Sequence, residues 1–436
     1  MATMWVRTVR GGTWLALAAS LVACGRTLAP AAALRGTATA AVQAIPGQVL
    51  VSWRKPDEAT AVLSRLGAGR SAGLEGGRPV AAPEVVTLPA GMDARRFADA
   101  AGDAVAWVEP DRIVRLPEQP KAEGDGGPAN LPASSEAARR KPAASRRWWL
   151  EKIRAADAWR VTRGKPDVRI GVVDTGVDLS HPALREQVVG HWRASGLLGR
   201  LGVGSARDDN GHGTHCAGIA AASGEDGLTG LAPGCKLLVV KALDRNGAGA
   251  TSDIVRGIRW AVASGARVLS LSVGGQEPSQ AMVAAVAEAL KAGVVVVAAM
   301  GNEGKALKNY PAAIPGVIAV GATSRTDKPA SFSTRGPWIS VAAPGVDIWS
   351  TAPTYAVTMS RGKDAPLGVG EGKLSGTSMA TPMVAGLAAL IVSAHPAWTP
   401  AQVKAAIVRG VVPLGDGFNA RTGHGRIDAG RTLGRR

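Results

Sequence analysis

Phenylalanine and tyrosine are scarce in this chain: three Phe and two Tyr stand against 56 Gly in 436 residues. A core built without them must close by bringing backbones near one another over small side chains. Three cysteines rule out a disulfide-built scaffold. No His-Glu-x-x-His run occurs, which removes the common helix-borne zinc-hydrolase arrangement. Acidic residues are outnumbered, 34 against 51 Lys and Arg, so the net charge is +17. A surface this cationic suits anionic envelope polymers, lipid headgroups or acidic substrates. The basic residues are not interleaved with aromatics, so nucleic acid is not an expected partner. Beyond the N-terminus no long apolar run stands apart from the alternating pattern, and the remainder reads as soluble.

Three strand or helix ends carry chemistry-bearing side chains. Gly171-Val172-Val173-Asp174 is an apolar strand that ends in a carboxylate. Gly211-His212-Gly213-Thr214-His215 opens a small-residue helix with an imidazole at its start. Ala299-Met300-Gly301-Asn302 closes another strand with an amide. A fourth stretch, Gly376-Thr377-Ser378-Met379-Ala380-Thr381-Pro382, is a glycine turn running into a helix apolar on nearly every face. Such a helix is a buried one. Its first free N–H groups face whatever lies before Ser378, which suits a nucleophile whose attack creates an oxyanion. Pro382 is expected in the first turn, where no intrahelical N–H is needed.

From residue 148 onward, strands at 168–174, 237–243, 268–273, 294–300 and 317–322 alternate with helices at 155–161, 214–222, 252–264, 279–291, 378–393 and 400–409. The strands are continuous apolar runs, as when helices cover both faces. This alternation predicts an α/β fold with a doubly wound parallel sheet, its functional groups at the strands' carboxyl ends.

The motifs DTGVD, GHGTH, GNEG and GTSMATP, in the order Asp, His, Asn, Ser, resemble the subtilisin family of serine proteases over residues 148–436. The resemblance implies a serine endopeptidase in which Ser378 is the nucleophile, His212 the general base and Asp174 its orienting carboxylate. Asn302 would donate to the oxyanion. Ser272, Val273 and Gly274, together with Gly249, resemble the two segments that pair with an extended substrate backbone. Ala299, Met300 and the turn at Asn309 would line the pocket before the scissile bond. No cofactor is required. Calcium is conceivable as a structural ion through Glu225 and Asp226, although Ala183 stands where the family often carries a calcium-binding Asp. Residues 351–374 are longer than a minimal member has there. Cys216 follows the histidine motif and is expected to be free, with pairing to Cys235 left open.

The N-terminal third reads as export and folding apparatus. Residues 1–23 have Arg7 and Arg10 before a short apolar core, an export signal too short to span a membrane permanently. Leu21-Val22-Ala23-Cys24 resembles a bacterial lipobox, which would lipidate Cys24 and anchor the chain to a membrane. Residues 24–44 form a tether. Residues 45–116 read as a small ferredoxin-like α+β module, and "VAWVEPDRIV" in it is similar to the inhibitory propeptide of subtilases. Residues 117–147 are a linker with basic sites at 139–141 and at Arg146-Arg147. The expectation is a cell-envelope or secreted monomer that acts on protein or peptide substrates and is held in check by its own propeptide.

Overall fold

The computed structural model describes residues 43–70, 83–117, 119–120, 146–194, 204–362 and 365–434. The signal, Cys24, most of the tether and the basic run at 139–141 lie outside the described residues. From Val42 onward the chain packs as one unit.

The larger layer is a seven-stranded sheet, all of it parallel. It contains β5 (Arg169–Asp174), β6 (Val188–Arg193), β7 (Lys236–Lys241), β9 (Ala266–Leu271), β10 (Val295–Ala299), β11 (Ile318–Thr323) and β12 (Val341–Pro344) in the order β12-β11-β10-β9-β5-β7-β6. From β5 the chain runs out to the edge strand β6, returns to β7, then crosses over to β9 and winds outward to β12, the doubly wound sheet expected from the alternation. Alternate residues of each strand enter opposite cores. Ile170, Val172, Val239 and Val297 pack on one face, and Val173, Leu238, Val240 and Val296 on the other. The sequence reading named five of these strands. It missed β6 and β12, the two outer strands: β6 mixes polar with apolar residues, and β12, though apolar and fully buried, is only four residues long.

Helices cover both faces. The leader module holds α1 (Ala59–Arg65) and α2 (Ala94–Ala101). The main layer adds α3 (His212–Ala221), α4 (Thr251–Ala263), α5 (Gln280–Lys291), α6 (Thr377–Ala394) and α7 (Pro400–Gly410). In α6, seventeen of eighteen residues are buried. That helix is long and apolar enough to cross a membrane, but it lies inside the protein as the core rod against β9, β10 and β11. Small residues let the layers close. A Cβ built on Gly218 of α3 would lie 2.1 Å from the Thr351 hydroxyl.

The leader module has β1 (Ala44–Trp53), β2 (Gly69–Arg70), β3 (Glu84–Thr87) and β4 (Val105–Arg115) in the order β2-β3-β1-β4. Its β-α-β-β-α-β sequence and antiparallel pairing give the ferredoxin-like arrangement. Phe97 of α2 is fully buried against it, edge-on to Trp53 at 6.5 Å. The sheet does not stop at β4. It continues into β8 (Ala248–Ala250), which lies between β7 and α4 in the chain.

Candidate active site

Asp174 is the last residue of β5, and α3 begins at His212. Both are buried. The imidazole Nδ1 lies 2.8 Å and 3.0 Å from the two Asp174 oxygens. Burial works against a charge on His212, but the adjacent Asp174 carboxylate outweighs it and holds the imidazole pKa well above 6.5. His215, one turn along, goes the other way. Burial and the neighbouring His212 push it down to about 3. Neutral His215 therefore donates Nε2–H toward the carbonyls of Ile348 and Gly372. Those residues lie in β13 (Ile348–Thr351) and β14 (Glu371–Leu374), an antiparallel hairpin.

The approach of α3 to β5 depends on Gly213. A Cβ there would sit 2.1 Å from the Gly176 carbonyl and 3.2 Å from Asp174 Cβ. The start of α3 is fixed by Asp208, which is wholly buried. Its carboxylate accepts from the Thr175 hydroxyl, the Asn210 and Gly211 N–H groups, and both N–H and hydroxyl of Thr214. Sequence reasoning passed over Asp208. It lies outside the N-cap position, which Gly211 occupies, and its bonds to Thr175 and Thr214 exist only in the fold.

Ser378 is the second residue of α6 and has no solvent exposure. Among the described residues neither Ser378 Oγ nor His212 Nε2 has a hydrogen-bond partner. Cys216 lies between the two helices, 3.7 Å from His212 Nδ1 and 3.4 Å from the Ser378 carbonyl. Cys216 and Cys235 are both free and buried, which closes the question of their pairing. Asp174, His212 and Cys216 are close enough to one another to share a metal ion, but the carboxylate and imidazole are already spent on each other.

Pro382 corrects an expectation. It is the sixth residue of α6, inside the helix and not in its first turn. Its missing N–H is the one that would have bonded the Ser378 carbonyl. The Ser272 hydroxyl fills that place at 3.0 Å.

Asn302 follows β10, and its side-chain oxygen accepts from both the N–H and the hydroxyl of Thr377, each at 2.9 Å. The Gly301 N–H in turn donates to the Thr377 hydroxyl. The amide nitrogen is thereby turned toward the start of α6. A Cβ on Gly376 would lie 3.1 Å from Asn302 Nδ2 and 3.6 Å from the Ser378 nitrogen. Gly376 has φ of 150°, a left-handed value that only glycine takes easily. Thr377 was quoted in the motif but given no role.

The other expected positions scatter in function. Ser272, Val273 and Gly249 are buried at the cleft floor. Gly274 pairs in an antiparallel bridge with Arg115 of the leader. Asn309 is buried, and its amide is spent on the Met300 carbonyl and Glu303, so it ties loops together. Ala299 and Met300 are buried too. The Glu225 carboxylate accepts from Arg185 at 3.0 Å, which is a poor start for a calcium site, and Ala183 supplies no oxygen ligand. No step is routed through calcium. Arg146 is not an exposed basic site: it forms a two-pronged pair with Glu371 at 2.9 and 3.0 Å. The long segment between β13 and β14 reaches the histidine loop, where the Tyr355 hydroxyl donates to the Asp208 carbonyl and Leu367 and Val357 pack over Gly211.

A hydroxyl at a buried helix start, an imidazole paired to a carboxylate and an amide by the nucleophile's nitrogen, gathered at the carboxyl ends of β5 and β10, define a serine hydrolase. Residues 165–425 match the Peptidase S8 model, described as the subtilase family, and the chain belongs to that family of serine endopeptidases. It is 42% identical to thermitase of Thermoactinomyces vulgaris over 251 residues, 57% of this chain and 83% of that one. With subtilisin E of Bacillus subtilis it shares 40% over 259 residues, 58% of this chain and 62% of the relative. Among solved structures, fervidolysin from Fervidobacterium pennivorans, a keratinolytic enzyme related to subtilisin, superposes with a TM-score of 0.75 at 28% identity, covering 92% of this chain and 62% of that one.

Proposed function

We propose that this chain is an extracytoplasmic subtilisin-like endopeptidase made as a self-inhibited precursor. Ser378 attacks the peptide carbonyl while His212 takes its proton, then returns it to the leaving amine. Asp174 keeps the imidazole in the tautomer that presents Nε2 to the serine and offsets its charge. Asn302 and the Ser378 N–H stabilise the oxyanion. The acyl-enzyme is then hydrolysed by water along the same proton route. Ser272, Val273, Gly274 and Gly249 hold the substrate as an added strand, which reads backbone shape before side-chain identity.

The observation that carries the precursor reading is the path of β4. Ile113, Val114 and Arg115 pair antiparallel with Ala250, Gly249 and Ala248, and Arg115 bridges Gly274 on its other side. Two leader carboxylates add to the hold. Glu109 accepts from the Ser279 hydroxyl and the Gln280 and Ala281 N–H groups at the start of α5. Asp111 accepts from the N–H and hydroxyl of Ser252 at the start of α4. Both carboxylates meet the positive end of a helix dipole. The leader thus occupies the substrate strand and clamps the two helices beside it. Export, with Cys24 as lipid anchor, completes the proposal and rests on the sequence alone.

A serine-directed phosphonate tests this. The expected result is no labelling of the intact precursor and stoichiometric labelling of Ser378 once the leader is digested away. Labelling at equal rates before and after removal would refute self-inhibition. No labelling in either form would refute the hydrolase assignment.

A further inference from the structure

The leader's register in the cleft points to a particular bond. Leu116 donates its N–H to the Gly247 carbonyl at 2.8 Å, so the backbone groups of residues 114 and 116 face β8. Those of 113, 115 and 117 face the opposite side, where Arg115 meets Gly274. Continuing this antiparallel register by two residues sets Pro117 opposite Ser272. The Ser272 hydroxyl is bonded to the carbonyl of Ser378 itself. Pro117 is buried, Leu116 half-buried and Arg115 exposed. The Leu116 side chain lies directly over Gly247, where a Cβ would come within 2.7 Å of it. Val114 packs against the core that contains Leu243, Ile254 and Val273.

We infer that the bond following Pro117 is the one presented to Ser378, that self-cleavage occurs there, and that Pro117 slows it. This rests on the precursor reading above. An ordinary residue at 117 would give its N–H to the main-chain carbonyl of Ser272, but proline has none to give. The attacked residue is therefore held by one main-chain hydrogen bond fewer than a general substrate. The step itself is plain acyl transfer. Ser378 Oγ bonds to the Pro117 carbonyl carbon and its proton passes to His212. The C–N bond to residue 118 breaks, and the new amine takes that proton. Water then attacks the Pro117 ester and gives one proton to His212. Ser378 leaves and recovers the proton, and a carboxylate ends the leader at Pro117.

The test follows purified full-length precursor by intact mass over time, reading the C-terminus of the released leader. That end stays in the cleft and is shielded from later trimming of the linker. The expected leader ends at Pro117, and the Pro117→Ala precursor is cut at the same place roughly five- to tenfold faster, the effect of restoring one main-chain hydrogen bond. A Pro117→Gly precursor, which also regains the N–H, is accelerated in the same direction. A leader that ends elsewhere, or variants cut no faster, overturns this inference while leaving self-inhibition intact. Failure of the self-inhibition reading is seen separately, when leader added back in trans does not block the mature enzyme.

Discussion

The hydroxyl of Ser272 donates to the main-chain carbonyl of Ser378 at 3.0 Å, and it fills the place that Pro382 leaves open four residues along α6. The segment that follows β9 and the helix that carries Ser378 are joined by this bond. In the Ser378→Ala background, which removes self-digestion, Ser272→Ala is expected to cost about 1 kcal/mol in urea unfolding. Adding Pro382→Ala restores the helical N–H and is expected to recover most of it. Additive losses in the double variant would contradict the assignment.

Asp174 and His212 set the pH response. The catalytic imidazole must be neutral to accept the serine proton, so a pKa held well above 6.5 places the acid limb of kcat/KM above that value, with activity falling as pH drops through it. In Asp174→Asn the main raising influence is gone, and burial is opposed only by Cys216. The limb then moves to lower pH, while kcat falls about 10⁴-fold for want of the orienting carboxylate. For stability the sign is opposite: protonated His212 favours the fold below the unfolded pKa of about 6.5. That contribution is lost as pH rises through the raised folded value. A pH–rate profile unmoved by Asp174→Asn would count against the pairing.

Asn302→Ala is expected to lower kcat by about 10²- to 10³-fold with little change in KM, since the donor acts on charge that exists only in the transition state. Thr377→Val keeps the main-chain bond to Asn302 but loses the hydroxyl. A kcat reduced by roughly tenfold at constant KM, with unchanged melting, marks it as a positioning residue. A matching rise in KM would mean that the threonine shapes substrate binding instead.

Gly213→Ala introduces a methyl 2.1 Å from the Gly176 carbonyl and 3.2 Å from Asp174 Cβ. The helix and the strand end must move apart, and the 2.8 Å contact between Asp174 and His212 stretches. The expectation is a loss of at least about 100-fold in kcat, because small misplacements at the reacting centre are costly. Full activity in this variant would show that α3 can shift without disturbing the pair.

The legible parts of the sequence were those whose cause is local. β5, β7, β9, β10 and β11 announce themselves as apolar runs because both faces of each are covered. The outer strands β6 and β12 do not: polar residues and a glycine interrupt β6, and β12, although apolar and wholly buried, is only four residues long. Asp174, His212, Asn302 and Ser378 could be singled out because each sits at or just beyond an element's end with a glycine within two residues. The groups that hold them in place could not. Asp208 and Thr377 matter through bonds to residues whose proximity only the fold creates. Pro382 was expected in the first turn of α6 but is its sixth residue, and the carbonyl it leaves open meets Ser272, more than a hundred residues earlier in the chain. The capping of α5 and α4 by Glu109 and Asp111 was hidden for the same reason.

The most direct measurement is an intact-mass time course of the wild-type precursor beside Ser378→Ala, each purified full length. The account predicts that the wild type splits into leader and catalytic chain, while Ser378→Ala stays whole under the same conditions. A Ser378→Ala precursor that splits at the wild-type rate and at the same bond would contradict it.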